Sequence, residues 1–240
     1  MTMKTVLCFG DSNTWGTVPM TAWNADERFD SQVRWPGVLR QRLGADWHVI
    51  EEGLPGRTTV LDDPLEGRHL NGLDYLLPCL FSHRPLDRLV IMLGTNDLKD
   101  RFNLSAEEIG YFAIERLLQV VSASGCVRGG NQNVVIVCPP PVRRRGIFER
   151  IFAQAEPKSN ALHVHMQAAA KNHRAQFLNA GRHVTSSDVD GIHLDADQQV
   201  RLGHAIADLF LAAHDDTPLI EPPTAFPADS TAEPGIPGGH

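Results

Sequence analysis

Two runs, "RLVIML" from Arg88 and "NVVIVC" from Asn133, constrain this chain more than any other feature. Each is apolar almost throughout and of strand length, without the polar alternation of a sheet that keeps one wet face. Such runs belong to strands covered on both sides. "KTVLCF" from Lys4, "WHVIEE" from Trp47 and the weaker "RAQFLNAG" from Arg174 bring the strand count to five. Helical patterns separate them. That alternation predicts an α/β fold: a parallel sheet with right-handed crossovers and helices on both faces.

The helix signals are local. "WPGVLRQRLG" carries Pro36, suited to a first turn, and Gly44, suited to a helix end. Ser105 and Glu108 have capping-box spacing, followed by Ile109, Phe112, Ala113, Leu117, Val120 and Val121 at helical intervals. Asp195 to Ala213 reads as a closing helix with Val200, Ile206, Leu209 and Phe210 on its inner face. With 240 residues, 42% of them hydrophobic, the chain can fill one sizeable core. The expected domain is 1–213. From His214 the periodicity stops and Pro, Gly, Thr and Ala dominate, so 214–240 reads as a tail.

A formal net charge of −7 and a pI near 5.8 set nucleic acid aside as a partner, since phosphate-backbone binding needs a basic excess. "MTMKTVLCFG" lacks the apolar length and cleavage site of a signal peptide, and no apolar segment is long enough to span a bilayer. Cys8, Cys79, Cys126 and Cys138 lack metal-ligand spacing. The expectation is a reduced, cytoplasmic protein.

"GDSN" follows the first strand, "EGLPGRTT" the second and "LGTND" the third. In open α/β sheets, ligands bind outside the carboxyl ends of the strands, so these loops are expected to meet at one site. A turn serine there stands clear of the sheet, and it becomes a nucleophile when a histidine removes its proton and a carboxylate orients that histidine. Ser12 is the candidate nucleophile. Asp190 and His193, three apart in "DVDGIH", supply orienter and base. Acyl transfer also needs donors for the oxyanion. The backbone N–H of Ser12, the N–H of Gly56 and the side-chain amide of Asn96 are one from each loop.

"GDSNTWG", "GLPGRTT", "GTND" and "DGIH", in that order, resemble the four blocks of the SGNH hydrolases, also called the GDSL esterase and lipase family. The likeness runs from Lys4 to about Ala213 and is greatest to bacterial arylesterases and the mycobacterial-type esterase with acyltransferase activity. It implies a flavodoxin-like three-layer sandwich around a five-stranded parallel sheet. It implies Ser12 as nucleophile, His193 as base and then acid, Asp190 as orienter, Ser12, Gly56 and Asn96 as oxyanion hole, and no metal or other cofactor. Two positions depart from the pattern. Asn13 replaces the leucine of the family name, and Gly56 stands where the mycobacterial-type enzyme has alanine, which makes hydrolysis a safer expectation than acyl transfer to alcohols.

Asp11, Asn13 and Trp15 flank the nucleophile and are assigned to substrate binding. For Trp15, core and acyl-pocket wall are both open on spacing alone, and the resemblance favours the wall. Asp97 reads as a helix-start residue. His163 and His165 lie two apart in a helical pattern, so they do not share a face for a metal. Arg143, Arg144 and Arg145 fit a solvated loop, with a substrate entrance or subunit contact as the second reading because Ile147, Phe148, Ile151 and Phe152 follow. Thr17 to Arg34 is long for a connection. With Trp23, Phe29 and Trp35 it is expected to line the entrance or join subunits of a homo-oligomer.

The function expected is a serine carboxylic ester hydrolase, arylesterase-like, acting on short-chain acyl esters through an acyl-enzyme, with acyl transfer to alcohols as an added capacity. A carbohydrate acetyl esterase of the same mechanism is the alternative. A non-catalytic small-ligand-binding module is the rival from another class. It lacks a phosphate-cradle pattern and gives no reason for a serine, an aspartate and a histidine in triad order.

Overall fold

The computed structural model describes residues 3–215. The tail assigned to 214–240 lies almost wholly outside them. Five strands form one parallel sheet: β1 (Lys4–Gly10), β2 (Trp47–Gly53), β3 (Arg88–Met92), β4 (Val134–Cys138) and β5 (Gln176–Asn179). Their order is β2-β1-β3-β4-β5, the doubly wound arrangement of flavodoxin type. Gly10 pairs with Gly53 on one side and with Met92 on the other. The first three strands therefore end level, and their loops leave the sheet at one place.

The buried runs divide between two cores by strand alternation. Val6, Cys8, Val90, Met92, Val135 and Val137 face α2 (Trp35–Leu43) and α6 (Ala196–Asp215), meeting Trp35, Leu39, Leu202, Ile206 and Phe210. Leu7, Phe9, Leu89, Ile91, Val134 and Ile136 face α3 (Gly72–His83), α4 (Ile114–Ser124) and α5 (Ala155–Asn172). These are the three layers expected. A short α1 (Ser12–Trp15) follows β1 directly. It lies so close to β2 that a Cβ on Gly53 would fall 2.2 Å from the backbone nitrogen of Trp15.

Two local readings need correction. The capping box forms as expected, with Ser105 N–H donating to Glu108 at 2.7 Å and Glu108 N–H to Ser105 Oγ at 3.2 Å. The next turn, Glu108–Ala113, is a π-helix rather than α. Its wider turn shifts the inner face, so Ile114 and Leu118 are buried while Phe112 is 53% exposed. In α6, Leu202 and Ala207 join Ile206 and Phe210 inside, and Val200 and Leu209 are half-buried. Among the described residues no helix is long and apolar enough to cross a membrane.

Candidate active site

Asp11 starts the site. It caps α1, its carboxylate accepting the Asn13 N–H at 3.0 Å, and so fixes the turn on which Ser12 is the first helical residue. Ser12 Oγ lies 3.0 Å from His193 Nε2, and His193 Nδ1 lies 2.6 Å from Asp190 Oδ2. Asp190 is fully buried. Its Oδ1 accepts from the Ile192 and His193 N–H groups, both at 3.0 Å, and its Oδ2 accepts from Met20 N–H at 2.7 Å. Burial works to raise this carboxyl. The hydrogen bond and charge of His193, with the N–H groups of Met20 and Ile192, outweigh it and hold the group below its ordinary value.

Asn13 holds the histidine from the other side. Its Nδ2 donates to Ile192 O at 3.1 Å and its Oδ1 accepts from Leu194 N–H at 3.0 Å, so one amide brackets both peptide groups around His193. The Asn13 carbonyl accepts from Gln199 Nε2 at 3.1 Å, and Gln199 Oε1 accepts from Trp35 N–H at 3.0 Å. The asparagine side chain thus joins the Ser12 turn to the His193 loop, while the backbone carbonyl of the same residue, which leucine would also offer, reaches α6.

Asn96 follows β3, and its Nδ2 donates to Arg57 O at 3.1 Å, which orients the amide and leaves its second N–H available. Arg57 was not singled out from the sequence. It is buried, donates from Nη1 to Gly10 O at 2.9 Å and to Glu52 O at 2.5 Å, and lies over the Phe9 ring. A basic residue in a loop gives no local sign that it will fasten two strand ends. Gly56 has φ of +85°, and a Cβ there would sit 3.1 Å from Leu70. Among the described residues, the N–H groups of Ser12 and Gly56 donate to no other protein group.

A cavity of about 360 Å³ opens over Ser12, His193, Gly56 and Asn96. Its apolar wall comes from Met20, Trp23, Phe148, Ile151, Phe152 and Ile192. Phe148 meets the edge of Trp23 at 5.1 Å and of His193 at 5.7 Å between ring centroids. Glu66 and Lys99 stand in the wall as well, and sequence reading missed both. They come from two loops, and their pairing has no signature in spacing.

Asp11, Asn13 and Trp15 do not line the cavity. Asp11 and Asn13 are buried beneath it, and burial pushes the Asp11 carboxyl up to about 6. Trp15 is half-buried, with the Arg28 guanidinium 4.9 Å from its ring centroid. Asp97 is buried and accepts from Thr59 N–H and Oγ1–H, in keeping with a structural role. From the long loop Met20 and Trp23 reach the cavity, whereas Trp35 is core. Arg143 and Arg145 pair with Asp188, and Arg144 with Glu149. The run stays outside the cavity while Phe148, Ile151 and Phe152 behind it enter.

Among the described residues one group has metal-ligand chemistry: Glu52, Cys79 and His83. Burial and the Glu52 charge push the Cys79 thiol up to about 12, and His83 bonds Glu52 at 2.9 Å. With the Arg57 cation close to Cys79 and His83 already bonded to Glu52, the three form a hydrogen-bonded cluster. His163 turns to Asn160 O at 2.9 Å and belongs to no such group.

A hydroxyl, an imidazole and a buried carboxylate joined in that order beside free N–H donors are the constellation of a serine hydrolase. The chain belongs to the GDSL-like lipase/acylhydrolase family, whose model matches residues 8–209. It is similar to a carbohydrate acetylesterase from Sinorhizobium meliloti at 41% identity, over 88% of this chain and 99% of that one, with a TM-score of 0.81. It is equally similar to the aryl esterase of M. smegmatis at 41% identity, over 87% and 99%, with a TM-score of 0.80. A lipase/acylhydrolase from Enterococcus faecalis, 18% identical with a TM-score of 0.62 over 88% and 97%, shares the fold. No curated protein matches the chain.

Proposed function

We propose that this esterase hydrolyses short-chain acyl esters of aryl or simple alkyl alcohols through an acyl-enzyme, with Ser12 as nucleophile. The continuous path from Ser12 Oγ through His193 to Asp190, opening into a cavity with an aromatic wall, carries the reading. His193 Nε2 takes the Ser12 proton as Oγ attacks the ester carbonyl, and the oxyanion is met by the N–H of Ser12, the N–H of Gly56 and the Asn96 amide. The imidazolium returns its proton to the departing alcohol. Water, deprotonated by His193, then releases the acid and restores Ser12. The alcohol leaves beside His193, where Phe148 and Ile192 offer apolar contact.

The cavity volume suits a small acyl group. Retention of Gly56 supports hydrolysis, with transfer to alcohols a secondary capacity. Removal of acetyl groups from sugars is a second reading, favoured by the polar pair Glu66 and Lys99 in the same cavity and by the similar acetylesterase. The net charge of −7 supports a small-molecule substrate over nucleic acid. Four buried free cysteines support a reducing, cytoplasmic setting, and Trp23 and Leu65, 61% and 76% exposed, support assembly into a homo-oligomer. A monomer mass by light scattering would remove that last element.

Fluorophosphonate labelling followed by peptide mass spectrometry tests the chemistry. The adduct is expected on Ser12 and absent in His193→Ala. A folded protein that takes no label would overturn the serine mechanism. Phenyl acetate compared with an acetylated sugar then separates the two substrate readings by kcat/KM.

A further inference from the structure

Glu66 poses an electrostatic difficulty for this site. Its Oε2 lies 3.2 Å from where a Cβ on Gly56 would stand, so a carboxylate borders the donor expected to receive a developing oxyanion. Two negative charges a few ångströms apart repel, and with the Glu66 side chain 41% exposed water screens only part of that repulsion. The loop that carries Glu66 is nonetheless fixed there. Asp63 accepts the Leu65 and Glu66 N–H groups at 2.9 and 3.0 Å, and Gly67 N–H donates to Asp63 O at 3.0 Å.

Lys99 meets that carboxylate. It is 95% buried, lines the same cavity, and places Nζ 2.9 and 3.0 Å from the two Glu66 oxygens and 3.5 Å from Asp63 Oδ2. Its backbone N–H donates to Asn96 O at 3.2 Å, so the ammonium is tied to the turn that presents the Asn96 amide. Arg101 lies with it, Nη2 at 2.5 Å from Asp63 and in a closer contact with Glu66. Two cations and two carboxylates leave the cluster neutral. Burying a lysine is costly unless a partner is fixed for it, and here the partners converge beside the oxyanion donors.

We propose that Lys99 is a positioning residue for this reaction, cancelling the Glu66 charge so that negative charge can develop on the substrate oxygen between Ser12, Gly56 and Asn96. The inference rests on the serine-esterase reading. It also predicts that the polar wall selects against anionic acyl groups only when Lys99 is removed. An ion pair that merely tied the 63–70 loop to the 96–102 turn would behave differently. The two differ in the sign of their effects.

The test measures kcat and KM for a neutral short-chain ester, and the inhibition constant of an alkylboronic acid, whose serine adduct is a tetrahedral anion. Wild-type turnover that is lost in Ser12→Ala establishes the underlying reaction; its absence would count against the esterase reading itself. Lys99→Met should lower kcat about tenfold and weaken the boronic acid by a similar factor, with KM changed less than about twofold. Glu66→Gln should raise kcat, and Glu66→Gln in the Lys99→Met background should restore most of the loss. A structural tie predicts instead that both single variants fall and that the double variant is no better. That pattern, or an unchanged Lys99→Met beside an active wild type, would overturn the proposal. If Lys99→Met does not fold, Glu66→Gln alone decides: a rise supports the proposal, and a fall or no change removes it.

Discussion

Asp190 and Asp97 are both buried carboxylates next to residues of one cavity, yet the protein shifts them in opposite directions. Asp190 meets a histidine ring and three backbone N–H groups, and is kept below its ordinary value. Asp97 meets the N–H and hydroxyl of Thr59, and burial pushes it up to about 6. Burial alone therefore does not set the charge of a buried acid. At Asp190 the donors and the directly bonded His193 outweigh burial, whereas at Asp97 burial outweighs Thr59 and the more distant Lys99 charge.

Asp190→Asn should break this contrast most severely. An amide cannot stabilise the imidazolium, favours the wrong ring tautomer and sets an NH2 against a donor on Oδ2, so kcat should fall by about ten-thousandfold and the thermal midpoint should drop as well. Steady-state kinetics with a chromogenic ester beside calorimetry checks both halves. A loss below tenfold would mean that Asp190 does not orient the base.

Asn13→Leu acts on the same histidine through its backbone. It strands Ile192 O and Leu194 N–H, and each unpaired buried group costs about 1–3 kcal/mol. We expect lower stability and a loss of kcat approaching a hundredfold, since small displacements between base and nucleophile are costly. Recovery of full activity in folded Asn13→Leu would show that the clasp serves stability alone.

The smallest effect is expected at Asp97. Its folded value of about 6 lies above the unfolded one, so the folded chain keeps a proton that the unfolded chain releases between about pH 4 and 6. Its contribution is fully present below that window and is lost as pH rises through it. Asp97→Asn should remove a decline on the order of 3 kcal/mol, seen as a variant-minus-wild-type difference in urea midpoints that grows more favourable from pH 4 to pH 7. A flat difference would mean that folding does not raise Asp97.

The five strands were legible because a strand buried on both faces leaves a continuous apolar run, and Val90 and Ile136 have no other place to go. Ser12, Asp190 and His193 stood out because they fall in short blocks, "GDSN" and "DGIH", that resemble motifs of the family. Direction was not legible. Asn13 and Trp15 are neighbours of Ser12, but a helical turn sends their side chains away from the cavity that Trp23 and Phe148 reach from distant loops. Pro78 hides α3, whose start rests on Asn71 accepting from Leu73 and Asp74 N–H. The π-turn hides the true inner face before α4, since an extra residue per turn leaves no mark in composition.

The level ending of the first three strands has a bearing on the order of synthesis. Ser12 is synthesised about 180 residues before Asp190 and His193, which follow every strand. A partly made chain carries a serine without its base. On the proposed mechanism, reactivity is switched on only when the segment carrying Asp190 and His193 docks, so a growing polypeptide would not attack esters around it before that point.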